Sequence, residues 1–404
     1  MHNMKIGLLK EGKIPYDSRV ALTPIQASKL KEKFPGIEIV CQTSPIRSYK
    51  DQEYADNGID VVEDVSDCDL LLGIKEVPID ELVPNKIYCF FSHTVKEQSY
   101  NRNLLQKIIE KEIELIDYER IVDEKGQRVI AFGRYAGIVG AYNAIYTYGQ
   151  KSGLFNLKRA KDCYEYNEVK QEYGKVDLPA IKIALTGSGR VANGAVEVLD
   201  DMKIKRVSPQ EILEKDFKVP VYTQLTTEDL HQHKKNKDFD LNHFFKNPDQ
   251  YISTFDRFTS KVEILISGIY WDPRAPVLFT IENMVQPEFK IKVVADITCD
   301  IEGSIPSTKR ASSLDEPVYD FNPGNNKVEP PFSRGENMSV MAIDNLPSEL
   351  PRDSSRDFGQ IMLEKVIPAI LAKDEDPMIS NATITKDGHL LSPYQYLHNY
   401  VYGN

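Results

Sequence analysis

Two residues that could carry out acid–base chemistry follow short apolar runs in the first third of the chain. Lys75 directly extends the run LLLGI, and His93 lies in the segment FFSHTVKE. A half-buried lysine loses stabilisation of its charge, so its pKa falls toward neutrality, where histidine already titrates. Both side chains therefore suit proton transfer. His93 could instead cap or pack in its loop, and Thr94 and Glu97 predict a capping box that starts the next helix.

Other charged residues follow the same series of apolar runs. In a parallel sheet the carboxyl ends of the strands share one edge, so these side chains are expected to converge there. Taken singly, each is better explained as a surface charge, a helix cap or an ion-pair partner, and only the convergence indicates a site. The residues are Lys13, Arg19, Glu76, Glu119 and Arg128.

A glycine-rich turn lies near the middle of the chain. Residues 181–194, IKIALTGSGRVANG, are typical of a buried strand, a tight turn and the start of a helix. In a dinucleotide site the first glycine permits the turn, the second admits the pyrophosphate, and a small third residue lets the helix pack closely. The helix N-terminus supplies N–H groups and a positive dipole end. An ordinary βα turn is the alternative. The candidate cofactor residues are Gly187, Ser188, Gly189, Arg190, Val191 and Ala192.

The choice of dinucleotide is predicted from the end of the next strand. About 20 residues beyond the glycines, an acid would hold the ribose 2′-hydroxyl of NAD. No acid stands there, whereas Arg206 and Ser208 suit the 2′-phosphate of NADP. NADP is therefore the predicted cofactor, with NAD as the alternative if the strand ends later, at Glu211. A later strand leads to Asp296 and Asp300, either of which could face a ribose or the nicotinamide, or form an Asx turn.

The elements that must position these residues show alternating periodicities. Before residue 135, five short apolar runs alternate with amphipathic helical patterns such as Thr23–Phe34 and Glu97–Glu112. This βαβα order predicts a mostly parallel sheet with helices on both faces. Two more strands, Val262–Ser267 and Ile291–Ala295, accompany the glycine turn. The predicted fold class is α/β, with two Rossmann-like domains built on doubly wound parallel sheets.

Two polar segments are predicted to be insertions at the surface. Lys158–Lys175 is charged, with tyrosines at irregular spacing, and residues 210–255 are polar with mixed charge. The second segment contains an H-x-H pair with nearby carboxylates, a pattern that can bind a metal. The surrounding lysines and asparagines favour a solvated insertion, so no metal is predicted. The residues concerned are His231, His233, Asp238, Asp240 and His243.

Composition excludes several classes of function. The chain has 404 residues, enough for two or three domains at roughly 150 residues each. A net charge of −11 argues against nucleic acid or an anionic membrane as a partner. No apolar stretch approaches the ~20 residues of a membrane span, and no leader precedes MKIGLLK. Five scattered cysteines are typical of reduced thiols, so a soluble cytoplasmic enzyme is predicted; the sequence is silent on oligomeric state.

Eight stretches carry a resemblance to a known family. They are KEGKIPYDSRVALTP (10–24), LLLGIKEVP (70–78), FFSHTVKEQ (90–98), LIDYERIVDEKGQRVIAFGRYAG (115–137), LTGSGRVANGA (185–195), SGIYWDPRAP (267–276), VVADITCDIEGSI (293–305) and IDNLPSELPRDSS (343–355). In this order they resemble the saccharopine dehydrogenase (L-lysine-forming) and lysine-ketoglutarate reductase family, within the alanine dehydrogenase group. The resemblance is greatest to the reductase half of bifunctional aminoadipic semialdehyde synthases, which share the long 210–255 insertion. The second, glutamate-forming module of those enzymes is expected to be absent.

The resemblance implies a domain arrangement and a reaction. A discontinuous catalytic domain, residues 1–134 with 345–404, would accompany a dinucleotide-binding Rossmann domain, residues 135–344. The implied reaction condenses the ε-amine of L-lysine with 2-oxoglutarate, loses water and reduces the resulting imine to saccharopine, or runs in reverse.

Roles for single residues also follow from the resemblance. Lys75 and His93 become the acid–base pair, because the secondary amine must lose a proton as hydride leaves and the carbinolamine must exchange protons with water. Saccharopine carries three carboxylates, for which the partners are Lys13, Arg19 and Arg128. Its ammonium is assigned to Glu76 and Glu119, which also tune the lysine. Asp300 matches an aspartate near the nicotinamide.

Two other functions remain open at this stage. An alanine dehydrogenase-like enzyme would use the same lysine and histidine on another amine and keto acid, such as ammonia and pyruvate. A non-catalytic NADP-binding sensor would use the acidic surface and the insertion for contacts with a partner.

Overall fold

The structure is a computed structural model that describes residues 4–372 and 376–403. The chain divides into two units, each with its own eight-stranded sheet. One unit extends to Phe132 and resumes at Pro351, and the other is Gly133–Leu350. Each is described separately below.

The first unit begins with alternating strands and helices. Its strands are β1 Met4–Leu8, β2 Ile37–Gln42, β3 Asp60–Val62, β4 Leu70–Leu72, β5 Ile87–Phe90 and β6 Glu114–Asp117. Its helices in this part are α1 Pro24–Lys33, α2 Asp51–Asp56 and α3 Arg102–Glu110. Helix α1 starts where the sequence predicts, because Thr23 forms a capping box with Gln26 and Pro24 occupies the first turn.

The second unit contains the glycine-rich turn. Its helices are α4 Gly133–Ser152, α5 Tyr166–Glu172, α6 Arg190–Asp201, α7 Pro209–Glu214, α8 Thr227–Leu230, α9 Leu241–Lys246, α10 Asp256–Thr259 and α11 Ile281–Met284. Its strands are β7 Lys182–Thr186, β8 Lys205–Arg206, β9 Val221–Leu225, β10 His231–His233, β11 Tyr251–Ser253, β12 Ile264–Ser267, β13 Val293–Asp296, β14 Tyr319–Asn322, β15 Lys327–Glu329 and β16 Met338–Met341.

The C-terminal segment completes the first unit. It contains the helices α12 Pro351–Ile361, α13 Ile367–Leu371, α14 Pro377–Ser380 and α15 His398–Tyr402 and the strands β17 Thr383–Lys386 and β18 His389–Leu390. A π-helical turn, Met362–Val366, joins α12 to α13. Strand β17 pairs antiparallel with β6, so the returning chain extends the sheet made by the N-terminal residues.

The first sheet has the strand order β18-β17-β6-β5-β4-β1-β2-β3, and β1 to β6 are all parallel. Strands β4 and β5 are buried along almost their whole length, as expected where helices cover both faces. The carboxyl ends of β4, β5 and β6 are therefore neighbours at one edge. This edge carries most of the charged residues singled out from the sequence.

The second sheet has the order β15-β14-β16-β13-β12-β7-β9-β8. Strands β8, β9, β7, β12, β13 and β16 are parallel, and β14 pairs antiparallel with both β16 and β15. The predicted α/β fold with two doubly wound, largely parallel sheets is therefore confirmed. The strand beside the glycine-turn strand β7 is β9, while β8, the next strand in the chain, lies at the edge of the sheet.

The predicted capping box at Thr94 and the predicted start of the following helix are wrong. Thr94 does not begin a capped helix: its hydroxyl contacts Ser92 Oγ at 2.8 Å, and His93 and Glu97 are both left-handed, so only the turn Thr94–Lys96 forms. Helix α3 accordingly starts at Arg102 rather than at Glu97.

The two predicted insertions are also more structured than expected. Within the segment 158–175, Tyr166 and Val169 are buried in the core of the second unit, because α5 packs its apolar face inward. Within 210–255, strand β9 lies between β7 and the edge strand β8 and is nearly all buried; it falls in FKVPVYTQL, the part of the segment whose sequence does show strand periodicity. Over the described ranges 4–372 and 376–403, none of the helices is both long and apolar enough to span a membrane.

Candidate functional site

Lys75 lies just beyond the carboxyl end of β4, and its backbone is held by a buried carboxylate. Glu11 accepts the N–H of Ile74 at 2.6 Å and that of Lys75 at 2.8 Å. Burial lowers the pKa of Lys75, and the positive charge of Arg19 acts in the same direction. Burial also raises the pKa of Glu11 to about 8. Lys75 is thus a fixed lysine that gives up its proton more readily than a solvated one.

Glu76 links Lys75 to the predicted histidine. Its carboxylate accepts Lys13 Nζ at 2.8 and 2.7 Å, and its Oε1 lies 2.8 Å from His93 Nδ1. Burial alone would raise the pKa of Glu76, but the hydrogen bonds from His93 and Lys13 outweigh it and lower that pKa to about 2. The carboxylate therefore stays ionised and fixes the orientation of the imidazole through one ring nitrogen.

His93 reaches Glu76 because of its backbone conformation and its ring neighbour. Its φ of 54° lies in the left-handed region, which is uncommon outside glycine. The ring stacks on Phe91 with an interplanar angle of 17°, and 19% of the side chain is exposed. Lys75 and His93 thus follow the neighbouring strands β4 and β5. Glu76 is next to Lys75 in the chain and is hydrogen-bonded to His93.

Arg19 occupies a buried position below this edge. Its Nε lies 2.9 Å from Asp17 Oδ1 and its Nη2 lies 2.5 Å from Asp17 Oδ2, while the guanidinium stacks 4.0 Å from the Phe132 ring centroid. The side chain is only 2% exposed. The sequence interpretation made Arg19 a substrate-carboxylate partner. In the structure Asp17 already binds this guanidinium in bidentate geometry.

Glu119 forms a second charged group after β6. Its Oε1 accepts Arg128 Nη2 at 3.0 Å and lies 3.2 Å from Lys96 Nζ, and both cations are about half exposed. Its Oε2 is buried and has no hydrogen-bond partner among the described residues. Asp117 holds the turn in place by accepting the N–H of Glu119 at 2.7 Å. The group offers two accessible cations and one buried acceptor.

The glycine turn of the second unit has the geometry that a pyrophosphate needs. Gly187 has a φ of +101°, and a Cβ there would lie 2.9 Å from the carbonyl oxygen of Gly268, so only glycine fits. Gly189 caps helix α6 without any side-chain hydrogen bond, and a Cβ on it would meet no atom within 4 Å. Ala192 is fully buried. The first turn of α6 therefore presents its N–H groups beside open space, as a phosphate site requires.

Arg206 is linked to this turn by hydrogen bonds through Gln224. Its Nη2 donates to Gln224 Oε1 at 2.7 Å, and Gln224 Nε2 donates to the carbonyl of Gly187 at 2.9 Å. Ser208 caps helix α7 in a capping box with Glu211, so neither group projects freely from the strand end. The carbonyl of Leu225, at the end of β9, accepts the Gly187 N–H at 2.8 Å. The segment that follows β9 is therefore the one beside the turn.

Asp296, the last residue of β13, and Asp300, which follows the strand, differ in role. Asp296 is fully buried and accepts the hydroxyls of Thr298 and Thr308, both at 2.7 Å, so it forms the Asx-type turn that was the structural alternative. Asp300 is half-buried, and burial together with the nearby charge of Asp296 raises its pKa. Only Asp300 keeps the accessible position predicted for a cofactor contact.

The histidine-rich segment forms ring contacts. His231 lies 3.1 Å from Thr227 O and 4.5 Å, between ring centroids, from Phe244, whereas His243 contacts Tyr251 Oη at 3.1 Å. Among the described residues, no group of three or more His, Cys, Asp or Glu side chains is arranged to hold a metal ion.

Some residues of the charged edge were not assigned a role from the sequence. Glu11 clamps the backbone of Lys75, Asp17 pairs with Arg19, and Lys96 lies beside Glu119. Lys96 could have been noticed because it follows His93 by three residues. The partnership of Glu11 depends on the pairing of β1 with β4, which the sequence does not show.

Comparison with known proteins agrees with this description. A family model described as "Alanine dehydrogenase/PNT, N-terminal domain" matches residues 7–139. "Alpha-aminoadipic semialdehyde synthase" of Arabidopsis thaliana is 30% identical over 98% of this chain, which spans 41% of that protein. "Saccharopine dehydrogenase [NAD(+), L-lysine-forming]" of Yarrowia lipolytica is 25% identical, with 96% of this chain and 98% of that protein covered.

A solved L-alanine dehydrogenase matches the fold with a TM-score of 0.66 at 15% identity, covering 98% of this chain and all of that one. This similarity concerns the fold alone. The sequence relatives, not the fold, support an amino acid dehydrogenase-type oxidoreductase. Several saccharopine dehydrogenases (L-lysine-forming) are similar to the chain over most of their own length, whereas the chain spans less than half of the aminoadipic semialdehyde synthases.

Proposed function

We propose that this protein interconverts saccharopine with L-lysine and 2-oxoglutarate, using NADP(H). In this proposal the first unit is the catalytic domain and the second unit is the dinucleotide-binding domain. The name of the fungal relative, a saccharopine dehydrogenase, agrees with chemistry on saccharopine. The observation that carries the proposal is the arrangement of Lys75, Glu76 and His93 at the carboxyl edge of the first sheet.

Lys75 and His93 are proposed to divide two proton transfers. Lys75, whose pKa is lowered by burial, would accept the proton of the secondary amine as hydride leaves its carbon, and would return it in the reductive direction. His93, with Nδ1 directed to Glu76, would use its other ring nitrogen to move protons between the carbinolamine and water.

The accessible cations around this edge would bind the carboxylates of the substrate. Lys13 is 32% exposed and Arg128 is 49% exposed, so both can exchange or share their carboxylate partners. The buried Oε2 of Glu119 is an acceptor suited to a substrate ammonium. Arg19, which is buried against Asp17, would act on the reaction chiefly by disfavouring the charged form of Lys75.

The glycine turn fits a dinucleotide, since the uncapped start of α6 faces open space and Gly187 is required sterically. Gly187, Ser188, Gly189, Arg190, Val191 and Ala192 would hold the pyrophosphate. When bound, the nicotinamide supplies or accepts the hydride at the imine carbon of the substrate. Asp300, half-buried after β13, is proposed to lie near that end of the cofactor.

The proposed preference for NADP depends on Arg206. Its guanidinium is anchored to the glycine turn through Gln224 and can bind a 2′-phosphate. Asp229 follows β9 but belongs to the capping box of helix α8. Its carboxylate accepts the N–H and the hydroxyl of Thr226, both at 2.8 Å. The name of the fungal relative specifies NAD(+), so NAD is the alternative.

A substrate screen tests the proposal. The purified protein is mixed with NADPH or NADH and with L-lysine plus 2-oxoglutarate, or with ammonia plus pyruvate, and oxidation of the cofactor is followed by absorbance. We expect oxidation with the first pair, faster with NADPH. Oxidation only with ammonia and pyruvate would replace the proposal with an alanine dehydrogenase-like activity, and binding of NADPH without any turnover would indicate a sensor.

A further inference from the structure

Two buried carboxylates lie beside the turns that carry Lys75 and His93. Strands β4 and β5, which lead into these turns, lie between β1 on one side and β6 on the other. Glu11 follows β1, and Asp117 is the last residue of β6; both side chains are buried. Each reaches from an outer strand to the turn after the neighbouring inner strand. Neither takes part in the proton transfers proposed above.

The Glu11 carboxylate holds the turn after β4 through main-chain atoms. One oxygen accepts the N–H of Ile74 at 2.6 Å, and the other accepts the N–H of Lys75 at 2.8 Å. The carbonyl of Ile74 accepts the N–H of Phe91 at 3.0 Å, which joins this turn to the turn after β5. Because a side chain moves with its own backbone, Glu11 determines where the side chain of Lys75 starts.

Asp117 holds the turn after β5 from the other side. Its Oδ2 accepts the N–H of Ser92 at 3.1 Å and also the Ser92 hydroxyl, while its Oδ1 accepts the N–H of Glu119 at 2.7 Å. Ser92 Oγ lies 2.8 Å from Thr94 Oγ1 and accepts the N–H of Thr94 at 3.3 Å. The residues immediately before and after His93 therefore belong to one buried hydrogen-bond network.

The backbone of His93 explains why such a network is needed. With a φ of 54°, His93 is a non-glycine residue in the left-handed region, a conformation that persists only where the surrounding structure enforces it. In this conformation His93 Nδ1 lies 2.8 Å from Glu76 Oε1. If the network of Asp117 were weakened, the backbone could relax and the imidazole would lose this orientation.

We infer that Glu11 and Asp117 are positioning residues, which hold Lys75 and His93, respectively, in the geometry that proton transfer requires. The inference rests on the proposed function for the roles of Lys75 and His93, and it adds the groups that keep them in place. Each outer strand thus supplies one buried carboxylate for the inner strand beside it. A misplacement of about 1 Å can lower a rate roughly 100-fold, so weakening either carboxylate should act mainly on kcat.

Three variants of the full-length protein test this, with whichever amine and keto acid the wild type turns over. Glu11→Gln leaves one oxygen for two N–H groups and should lower kcat by up to about 100-fold with little change in KM. Ser92→Ala removes the hydroxyl that joins Asp117 to Thr94 and should give a smaller loss of kcat, again with little change in KM. Asp117→Asn also loosens Glu119, so kcat should fall and KM for the amine should rise.

Asp69→Asn is the matched control for Glu11→Gln. Asp69 precedes β4 and accepts the N–H of Lys5 on β1 at 2.8 Å, so it joins the same two strands at their amino ends. This variant should keep the kcat and KM of the wild type. Amide hydrogen exchange gives a readout that needs no turnover: peptides containing Ile74 and Lys75 should exchange faster in Glu11→Gln and normally in Asp69→Asn.

A double-variant cycle separates positioning from a general loss of stability. If Glu11 acts through Lys75, adding Glu11→Gln to Lys75→Met should lower kcat little further, because the side chain that Glu11 positions is already gone. Two independent effects would multiply instead. Thermal denaturation confirms that each variant is folded. Should Glu11→Gln not fold, Glu11→Asp replaces it, since its shorter side chain keeps the charge but should not reach both N–H groups.

The inference is overturned if folded Glu11→Gln and Ser92→Ala keep the kcat of the wild type, if Asp69→Asn loses as much activity as Glu11→Gln, or if the losses from Glu11→Gln and Lys75→Met multiply. A wild type that turns over neither substrate pair would overturn it together with the proposed function. Turnover of ammonia and pyruvate alone would refute the proposed substrates, and the same variants would still decide the inference with that pair.

Discussion

The two sheets carry their candidate sites at the same kind of edge but by different means. At the carboxyl edge of the first sheet, charged side chains pair with one another, as Glu76 does with Lys13 and His93. At the edge of the second sheet, the turn after β7 offers backbone N–H groups and open space, and glycine is needed there for steric reasons.

In the proposed function, one sheet architecture supports chemistry in the first unit and cofactor binding in the second. Proton transfer needs side chains whose pKa values are shifted by burial and by neighbours, and the first edge supplies them. Holding a pyrophosphate needs little more than N–H groups and the absence of a side chain. Substitutions at the first edge should therefore change rates and pH dependence, and those at the second should change affinity for the dinucleotide.

The largest effect is expected for Lys75→Met. Loss of a residue that transfers protons should lower kcat by about 10²–10⁴-fold with little change in cofactor affinity. Lys86→Met, at the amino end of β5, is the matched control and should turn over normally. Steady-state kinetics of both variants checks this prediction, and it fails if the two variants have equal kcat.

Arg206→Gln tests the charged side chain on which the proposed preference for NADP depends. Because a hydrogen bond to a charged group contributes about 1.5–3 kcal/mol, the preference for NADPH over NADH should fall by roughly 10- to 150-fold. Lys205→Gln, on the same short strand, should keep the preference. The Kd values of NADPH and NADH are measured for both variants. If the ratio of the two Kd values is unaltered in Arg206→Gln, the argument for NADP is removed.

The glycine turn offers a third test, in which one glycine-to-alanine change should weaken cofactor binding and the other should lower stability. Gly189→Ala meets no neighbouring atom, so the protein should stay folded while the Kd for NADPH rises roughly tenfold, or about 1.4 kcal/mol. Gly187→Ala must adopt a left-handed φ and contact Gly268, so it should lower the free energy of unfolding by about 1–2 kcal/mol or more. Thermal denaturation and cofactor titration separate the two effects, and a destabilised Gly189→Ala with normal affinity would argue against a pyrophosphate at the turn.

The smallest expected effect concerns stability in acid. The pKa of Glu76 falls from an ordinary 4.5 to about 2 in the folded protein, so the unfolded chain takes up the proton first as pH drops. The stability that Glu76 contributes is complete above pH 4.5 and is lost as pH falls toward 2. Glu76→Gln should therefore flatten the dependence of the unfolding free energy on pH in that window.

Glu211→Gln serves as the control for this measurement in the second unit. The pKa of Glu211 is also lowered to about 2, chiefly by the backbone N–H of Ser208, but its side chain is 40% exposed, against 8% for Glu76, and is screened by solvent. Denaturant titrations at several pH values should show a larger change for Glu76→Gln than for Glu211→Gln. An equal change would mean that the buried ion pairs of Glu76 contribute no more to the pH dependence of stability than the exposed contacts of Glu211.

Much of this comparison could be predicted from local sequence. The glycine turn, helix α1 with its Thr23 cap, and the two parallel sheets follow from residue spacing, because strand, turn and helix signals act over a few residues. Placing Lys75 and His93 at strand ends also required only the order of the apolar runs.

The remaining features depend on strand order and on left-handed backbone, which spacing does not reveal. The sequence does not show that β9 rather than β8 lies beside β7, which changes the segment adjacent to the glycine turn. The left-handed residues on either side of the turn after β5 prevent the predicted capping box at Thr94. Burial of Arg19 against Asp17 likewise follows from packing beneath Phe132.

The account depends most on hydride transfer to a substrate imine, and isotope transfer measures this directly. NADPH carrying deuterium at the transferable position is incubated with the protein, L-lysine and 2-oxoglutarate, and the products are analysed by mass spectrometry. We predict saccharopine with deuterium on the carbon derived from the 2-oxo group, and none with Lys75→Met at matched times. Absence of labelled saccharopine, together with deuterated alanine from ammonia and pyruvate, would contradict the proposed reaction.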